Sequence, residues 1–252
     1  MTRETGPREP DAVDIAESAS LQARRDGAPP DGRPRRSVWR GARAVLIVAV
    51  LAVLISAFVA RMYAIPSGSM EQTLHGCPGC DNDRVLVDKL TYRFADPAPG
   101  DVVVFALPPT WTNPELEQTP PPSGPVGMVL ARLGALLGVQ AVGETDMIKR
   151  VIAVGGQTVA CCDVRNRVTV DGHPLDEPYV YYAPEFGTSK QTPFGPVRVP
   201  DGQLWVMGDS RNNSVDSRAP GDGPVPVAAV IGKARLIVLP LGRFGPIGSG
   251  GN

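Results

Sequence analysis

The sequence predicts a mainly β protein, built of antiparallel sheets behind one N-terminal transmembrane helix. Three observations lead there. Glycine and proline supply 28 and 27 of the 252 residues, more than a fifth of the chain and well above the usual share of about an eighth. Such a composition favours turns, short strands and linkers over a helical bundle. β-Branched runs bounded by Gly, Pro, Asp and Asn recur through the later part of the chain, and one uncharged apolar run lies near its start. A chain of this length holds one ordinary domain with appendages rather than two domains of equal weight. The net charge of -1, with no basic block in the body of the chain, gives no electrostatic footprint for nucleic acid, and that partner class is set aside.

Residues 1–40 read as a disordered cytoplasmic tail. Arg, Asp, Glu and Pro dominate as far as Ser37, so the segment cannot bury enough apolar surface to offset chain entropy. From Ala44 to Ala60 runs AVLIVAVLAVLISAFVA, uncharged and at the lower end of what crosses a roughly 30 Å hydrocarbon core as a helix. Tyr63 and Ile65 can extend the run past Arg61, giving an anchor over 41–63. A buried core helix or a cleaved leader are the competing readings. Leader cleavage wants small residues at the first and third positions before the cut, but Phe58 and Met62 stand in the third position. Arg33, Arg35, Arg36, Arg40 and Arg43 precede the run and Arg61 alone follows it, so the positive-inside rule puts the N-terminus in the cytoplasm and the rest outside.

The extracytoplasmic region, 64–252, reads as strands: DRVLVDKLTYRF, DVVVFAL, DMIKRVIAVGG, RVTV, QLWVMG and VIGKARLIVLPL. Asp171-Gly172 after Arg167–Val170 is a hairpin signal, because that pair supplies the positive φ values a tight turn needs. Residues 107–146 form a proline-rich and apolar insertion. Its stretch from Val126 to Val139 is too short to span a bilayer, and is either a core helix or one lying in the membrane interface. Residues 153–205 are expected to form a smaller β subdomain.

Three constellations carry chemistry. In Ile65-Pro66-Ser67-Gly68-Ser69-Met70, Pro66 and Gly68 let the chain present Ser69 at a sharp bend with a free amide behind its hydroxyl. A Ser/Gly turn leaving a helix is the plainer alternative. A serine needs a base. The histidines, His75 and His173, lie in turns where neither strand nor helix would hold them, which argues against a Ser-His-Asp triad. Lysine is scarce, with only Lys89, Lys149, Lys190 and Lys233 among 25 cationic residues. Within MIKRVI, strand alternation puts Lys149 on a face with Met147 and Val151, and Arg150 on the other with Ile148 and Ile152. Free lysine titrates near 10.4, so general-base work at neutral pH requires a desolvated site, which such a strand can supply. A snorkelling lysine is the bland alternative; Lys89 is a similar but weaker candidate beside Asp88. The third constellation, Gly208 to Arg218, interleaves Asp209, Arg211, Asp216 and Arg218 with hydroxyl and amide side chains, a loop able to bond to itself and hold one hydroxyl rigidly.

In this order behind an N-terminal anchor, the serine box IPSGSMEQTL, strand box GDVVVFALP, lysine box MIKRVIAVGGQTV and closing box GDSRNNSVDSR resemble the bacterial type I signal peptidases. The likeness covers roughly residues 40 to 240. It implies antiparallel sheets of the signal-peptidase type and makes Ser69 the nucleophile, Lys149 the general base and Ser214 the residue that orients the lysine. It also implies Ser67 and the Ser69 amide as oxyanion hole, and Asp209, Arg211, Asp216 and Arg218 as bracing. Ile65, Pro66, Met70 and Ile148 would line pockets for small side chains, with Asp83 to Lys89 in the region that pairs with an extended substrate. The chain departs from the common pattern at Gln72, where many members carry proline, and at Ser210 and Asn212, where Asn and Asp are commonest.

The resemblance implies a membrane-bound serine endopeptidase that removes signal peptides from secretory preproteins after small-x-small sites. It would work at the cell membrane, as a monomer against the lipid bilayer, with no metal, nucleotide or organic cofactor. The anchor leaves no place for a self-cleaving DNA-bound repressor, and the full catalytic set argues against an inactive tethered scaffold. Cys77, Cys80, Cys161 and Cys162 lie on the oxidising side, where disulfides are the default; a four-thiolate zinc site is the sharper alternative, with a poor vicinal half.

Overall fold

The computed structural model describes residues 34–77, 82–111, 139–141, 146–187 and 189–248, without the side chains of 34–38, 53–57 and 139–141. The chain divides into two units, Met1–Val48 and Ala49–Asn252. Helix α1 (Pro34–Phe58) begins in the first and ends in the second. Proline suits its first position, where no amide is needed, and the Ala/Leu/Val run that follows has no breaker after Gly41. Its described apolar side chains, among them Val45, Leu46, Ile47, Val48, Val50 and Leu51, are exposed. Among the described residues, no helix is long and apolar enough to cross a membrane.

The helix stops where a strand ladder takes over. Val59 accepts the Lys89 amide at 2.9 Å, and β1 (Ala60–Ala64) pairs antiparallel with β2 (Arg84–Asp88), Tyr63 opposite Val85. Tyr63 and Ile65 therefore do not prolong the apolar helix as expected; both are buried in the sheet core. The physical reason is non-local, since backbone pairing with a strand some twenty residues on outweighs the helical tendency of the run. β2 also ends earlier than the DRVLVDKLTYRF run suggests. The Asp88 carboxylate accepts the Leu90 and Thr91 amides at 2.8 and 3.1 Å and turns the chain into a short helical turn over Thr91–Arg93.

The remaining strands are β3 (Val102–Ala106), β4 (Val139–Ala141), β5 (Asp146–Val154), β6 (Thr158–Cys161), β7 (Val168–Val170), β8 (His173–Pro174), β9 (Phe194–Arg198), β10 (Gln203–Met207), β11 (Val225–Pro226), β12 (Val230–Leu239) and β13 (Gly245–Pro246). The larger sheet runs β11-β10-β5-β3-β12-β2-β1-β4 with β13 added beside β12, and the smaller runs β8-β7-β6-β9. The pairs are antiparallel except β1 with β4. The protein is thus mainly β with antiparallel sheets. The smaller sheet falls inside the 153–205 span, and Asp171 and Gly172 take φ of 52° and 80° in its β7–β8 hairpin.

β3 and β5 are buried on both faces. Val102, Val104 and Ile148 join one core cluster with Tyr63, Ile65, Met70 and Leu74, while Val103, Phe105, Met147 and Val151 join another with Leu204 and Val206. Strand alternation sorts them. The smaller sheet packs a third cluster around Val159, Val168 and Trp205. The Val126–Val139 stretch, expected as a core or interfacial helix, lies outside the described residues except for Val139, which opens β4.

Candidate active site

After β1 the chain turns sharply. Ile65 donates its amide to the Asp83 carbonyl at 2.9 Å, Ser67 is extended, and Gly68–Met70 form a single helical turn closed by Glu71 N to Gly68 O at 3.1 Å. Ser69 sits in that turn and is buried. The chain then doubles back so closely that a Cβ at Gly76 would lie 2.5 Å from the Ile65 carbonyl and 2.6 Å from that of Ser67. Only glycine permits this approach.

Strand β5 supplies the base. Lys149, 1% exposed, donates from Nζ to Ser69 Oγ at 2.7 Å. That is the distance at which a nucleophile and its base exchange a proton. Ser67 Oγ lies 3.2 Å from Ser69 Oγ, within hydrogen-bond reach of the hydroxyl. Lys149 is not a snorkelling side chain: β3 and β10 flank its strand on either edge, and the strand is buried from Asp146 to Ala153. The histidines stand apart, His75 pairing with Glu71 at 3.2 Å and His173 exposed in β8.

The closing loop locks onto the turn that carries Ser69. Ser210 donates its amide to the Ser69 carbonyl at 3.1 Å. At Gly208 a Cβ would collide with the Ser214 hydroxyl and come within 2.5 Å of the Ser69 carbonyl, so the absence of a side chain is what lets loop and turn meet. Asp209, fully buried, takes two bonds from Arg150 and one from Thr73 Oγ1 at 2.6 Å. Arg211 donates to Glu177, to Gln191 Oε1 at 2.8 Å and to the Gly208 carbonyl at 3.0 Å. Asp216 accepts from Arg218, from the Gly208 amide at 2.9 Å and from Ser214 Oγ at 2.7 Å. Burial alone would raise the Asp216 carboxyl, but the Arg218 guanidinium, the Gly208 amide and the Ser214 hydroxyl hold it below the usual carboxylate range. The Arg150 guanidinium lies 3.9 Å over the Tyr179 ring, whose hydroxyl burial pushes up.

Several sequence expectations change here. The Ser214 hydroxyl proton goes to Asp216 rather than toward Lys149, leaving only its lone pairs for a second partner. Ile65 and Met70 have no exposed surface and Ile148 almost none, and all three belong to one core cluster, while Pro66 stays partly exposed. The stretch Asp83–Lys89 cannot take an added strand, because β2 is already paired on both edges, by β1 and β12. Cys161 and Cys162 are disulfide-bonded to each other, which removes that half of the zinc alternative, since a bonded sulfur is no thiolate ligand. Cys77 is also disulfide-bonded, to a partner outside the described residues.

Sequence reasoning gave no bracing role to Asp83 or Arg150 and passed over Thr73, Glu177, Tyr179 and Gln191. Arg150 carried one signal, an arginine inside an apolar strand run beside the scarce lysine. The others bond across the fold, Thr73 to Asp209 over 136 positions, and leave no local pattern.

A serine and an amine in direct hydrogen-bond contact, braced by a self-bonded loop, form the arrangement used by enzymes of covalent hydrolysis. The profile of the family described as "Signal peptidase, peptidase S26" matches residues 38–239. The probable signal peptidase I of Mycobacterium leprae (strain TN) is 43% identical over 86% of this chain and 81% of its own length. The signal peptidase I of Mycobacterium tuberculosis (strain CDC 1551 / Oshkosh) is 43% identical over 98% of this chain and 94% of its own. A crystal structure of a signal peptidase I from Enterococcus faecalis V583 aligns over 55% of this chain and 97% of that one, at 23% identity and a TM-score of 0.35. The chain belongs to the signal peptidase family, peptidase S26.

Proposed function

We propose that this peptidase removes signal peptides from secretory preproteins after small-x-small sites, by an acyl-enzyme mechanism run by Ser69 and Lys149. The observation that carries the reading is the 2.7 Å bond between Lys149 Nζ and Ser69 Oγ in a buried setting. Neutral Lys149 takes the Ser69 proton as Oγ attacks the scissile carbonyl. The Ser67 hydroxyl and the Ser69 amide receive the oxyanion, each such donor contributing about 3–4 kcal/mol. Lys149 passes its proton to the departing amine, the ester forms, and the same amine then deprotonates the water that releases the acyl group. Ser214, its own proton held by Asp216, accepts from the lysine in its protonated form. Asp209, Arg211, Asp216 and Arg218 keep the loop in place.

In this reading residues 41–63 hold the enzyme in the cell membrane, with the N-terminal tail cytoplasmic and the catalytic region outside. Support comes from the uncharged run Ala44–Ala60, the arginines before it and the exposed apolar side chains of α1. Only β1 and one tight turn separate the end of α1 at Phe58 from Ser69, which keeps the nucleophile near the bilayer surface where a translocating precursor presents its cleavage region. The protein acts as a monomer.

Incubating the detergent-solubilised chain with a secretory precursor, and mapping the cut by mass spectrometry, tests this. The parent is expected to cut after a small-x-small site, and Ser69→Ala and Lys149→Arg to cut nothing while still expressing and inserting. Arginine keeps its proton, so cleavage by the Lys149→Arg variant at near the parent rate would overturn the base assignment.

A further inference from the structure

The family match ends at residue 239, and the residues that follow it bond back to elements that carry the site. Leu241–Arg243 form a helical turn, β13 pairs with β12 through Pro246 and Leu236, and the Ile247 amide donates to the Arg235 carbonyl at 3.0 Å. Two contacts from this strap reach the catalytic elements. Arg243 donates to both Asp83 oxygens, from Nε at 2.9 Å and from Nη2 at 2.9 Å, and Nη2 also reaches the Thr73 carbonyl at 3.3 Å. Gly248 accepts Arg150 Nη1 at 2.9 Å, next to Lys149 in β5.

Asp83 is the staple of the serine box. Its carbonyl takes the amide of Ile65, where the box begins, and its carboxylate takes the amide of His75 at 2.8 Å, just past the end of the box. That carboxylate has no exposed surface, and Arg243 supplies a charge against it. Thr73 joins the same network, bonded through Oγ1 to Asp209 and through its carbonyl to Arg243. The strap therefore grips the turn that carries Ser69 at one end and the arginine beside Lys149 at the other.

We propose that the segment Arg243–Gly248 is a positioning element for the reaction, fixing the serine turn against the lysine strand, with Arg243 as its principal residue. The inference rests on the Ser69–Lys149 reading above. Holding two reacting groups in register is worth much in rate, and an error of about 1 Å costs on the order of 100-fold.

The test uses the full chain in detergent, comparing parent, Arg243→Gln, Arg243→Lys and a chain ending at Ile247, with melting temperatures beside precursor cleavage. Arg243→Gln is expected to lower kcat by about 10- to 100-fold while KM changes by less than about threefold, the pattern of a lost transition-state alignment. Arg243→Lys, which can meet Asp83 but not Asp83 and Thr73 together, should recover part of that loss. The Ile247 chain should lower kcat less, because Arg150 keeps the Gly100 carbonyl and Asp209. Amide exchange at Leu74 and at His75, whose amide the Asp83 carboxylate holds, should quicken in Arg243→Gln. That measurement does not need cleavage, so a parent that cuts nothing counts against the dyad reading and leaves the strap to be judged by exchange. Parent-level kcat with a lowered melting temperature, or variants that all fail to fold, would make the strap a stability element and overturn the proposal.

Discussion

Arg150 and Asp209 face each other through two parallel hydrogen bonds, Nε to Oδ1 at 2.8 Å and Nη2 to Oδ2 at 2.7 Å, with neither side chain exposed. The pair ties β5, which carries Lys149, to the closing loop, which holds the Ser69 carbonyl. Removing one member of a buried pair leaves the other charge without compensation and costs about 3–5 kcal/mol. Arg150→Met and Asp209→Leu are each expected to lose about that much in urea unfolding, and the double variant to lose less than the sum because no lone charge remains. Additive losses would show that the two act independently.

Gly208 and Gly76 have no room for a methyl group, each for its own reason. At Gly208 the obstacle is the Ser214 side chain and the Ser69 carbonyl, so Gly208→Ala should push the loop from the nucleophile and lower cleavage on the order of 100-fold. At Gly76 the obstacle is backbone on every side, and Gly76→Ala should cost stability by about 1–3 kcal/mol. Gly242→Ala, with nothing within 4 Å of the added carbon, is the comparison and should leave unfolding unchanged. Parent-level cleavage by Gly208→Ala would mean that the loop is not pressed against the serine turn.

The pH dependence of stability follows from Asp216. Its carboxyl is held below the ordinary range, against the opposing effect of burial, by Arg218 first and then by the Gly208 amide and Ser214. A depressed folded value contributes stability that is present above the unfolded pKa, near 3.9, and lost as pH falls through the folded one. Arg218→Met removes the leading depressing partner, so the folded value rises and less of that stability is present at neutral pH. Melting temperatures of parent and variant between pH 3 and 7 should lie furthest apart near neutral pH and converge toward the acidic end, where Asp216 is protonated in both. Curves that stay parallel over that range would remove Arg218 as the cause.

How much of this was legible in the sequence depends on how local each cause is. DVVVFAL and DMIKRVIAV read as strands because β-branched residues buried on both faces leave a nearly continuous apolar run, and VIGKARLIVL reads as one through its β-branched residues although it is only partly buried. ARMYA in β1 did not, because it follows the apolar helix without a break and becomes a strand only through pairing with β2. Ser69 and Lys149 stood out through a glycine-bent turn and a lysine in an apolar strand. Asp83 did not, since the partner that gives it meaning, Arg243, lies 160 positions away. Apolar side chains next to a nucleophile look alike in sequence whether they meet substrate or core, and only the fold shows that Ile65 and Met70 belong to a core cluster.

Asn212 occupies a position where the resembling family most often has Asp, and its surroundings account for the amide. Its Oδ1 accepts the Ala183 amide at 2.8 Å, and its Nδ2 donates to the Ala183 carbonyl at 2.9 Å, so the side chain pairs with that residue as a neighbouring strand would. Carboxylate oxygens only accept. In Asn212→Asp one oxygen keeps the amide while the other faces a carbonyl, a lost bond and a repulsion together costing about 1–3 kcal/mol. Ala183 lies two residues after Tyr181, whose carbonyl accepts the Arg211 amide at 2.9 Å, so loosening here should spread to the arginine of the closing box. The Asn212→Asp variant is therefore expected to melt lower at neutral pH and to recover toward the parent below about pH 4, where the acid regains a proton to donate. Recovery on acidification separates an acceptor clash from a simple loss of packing, which pH would not mend.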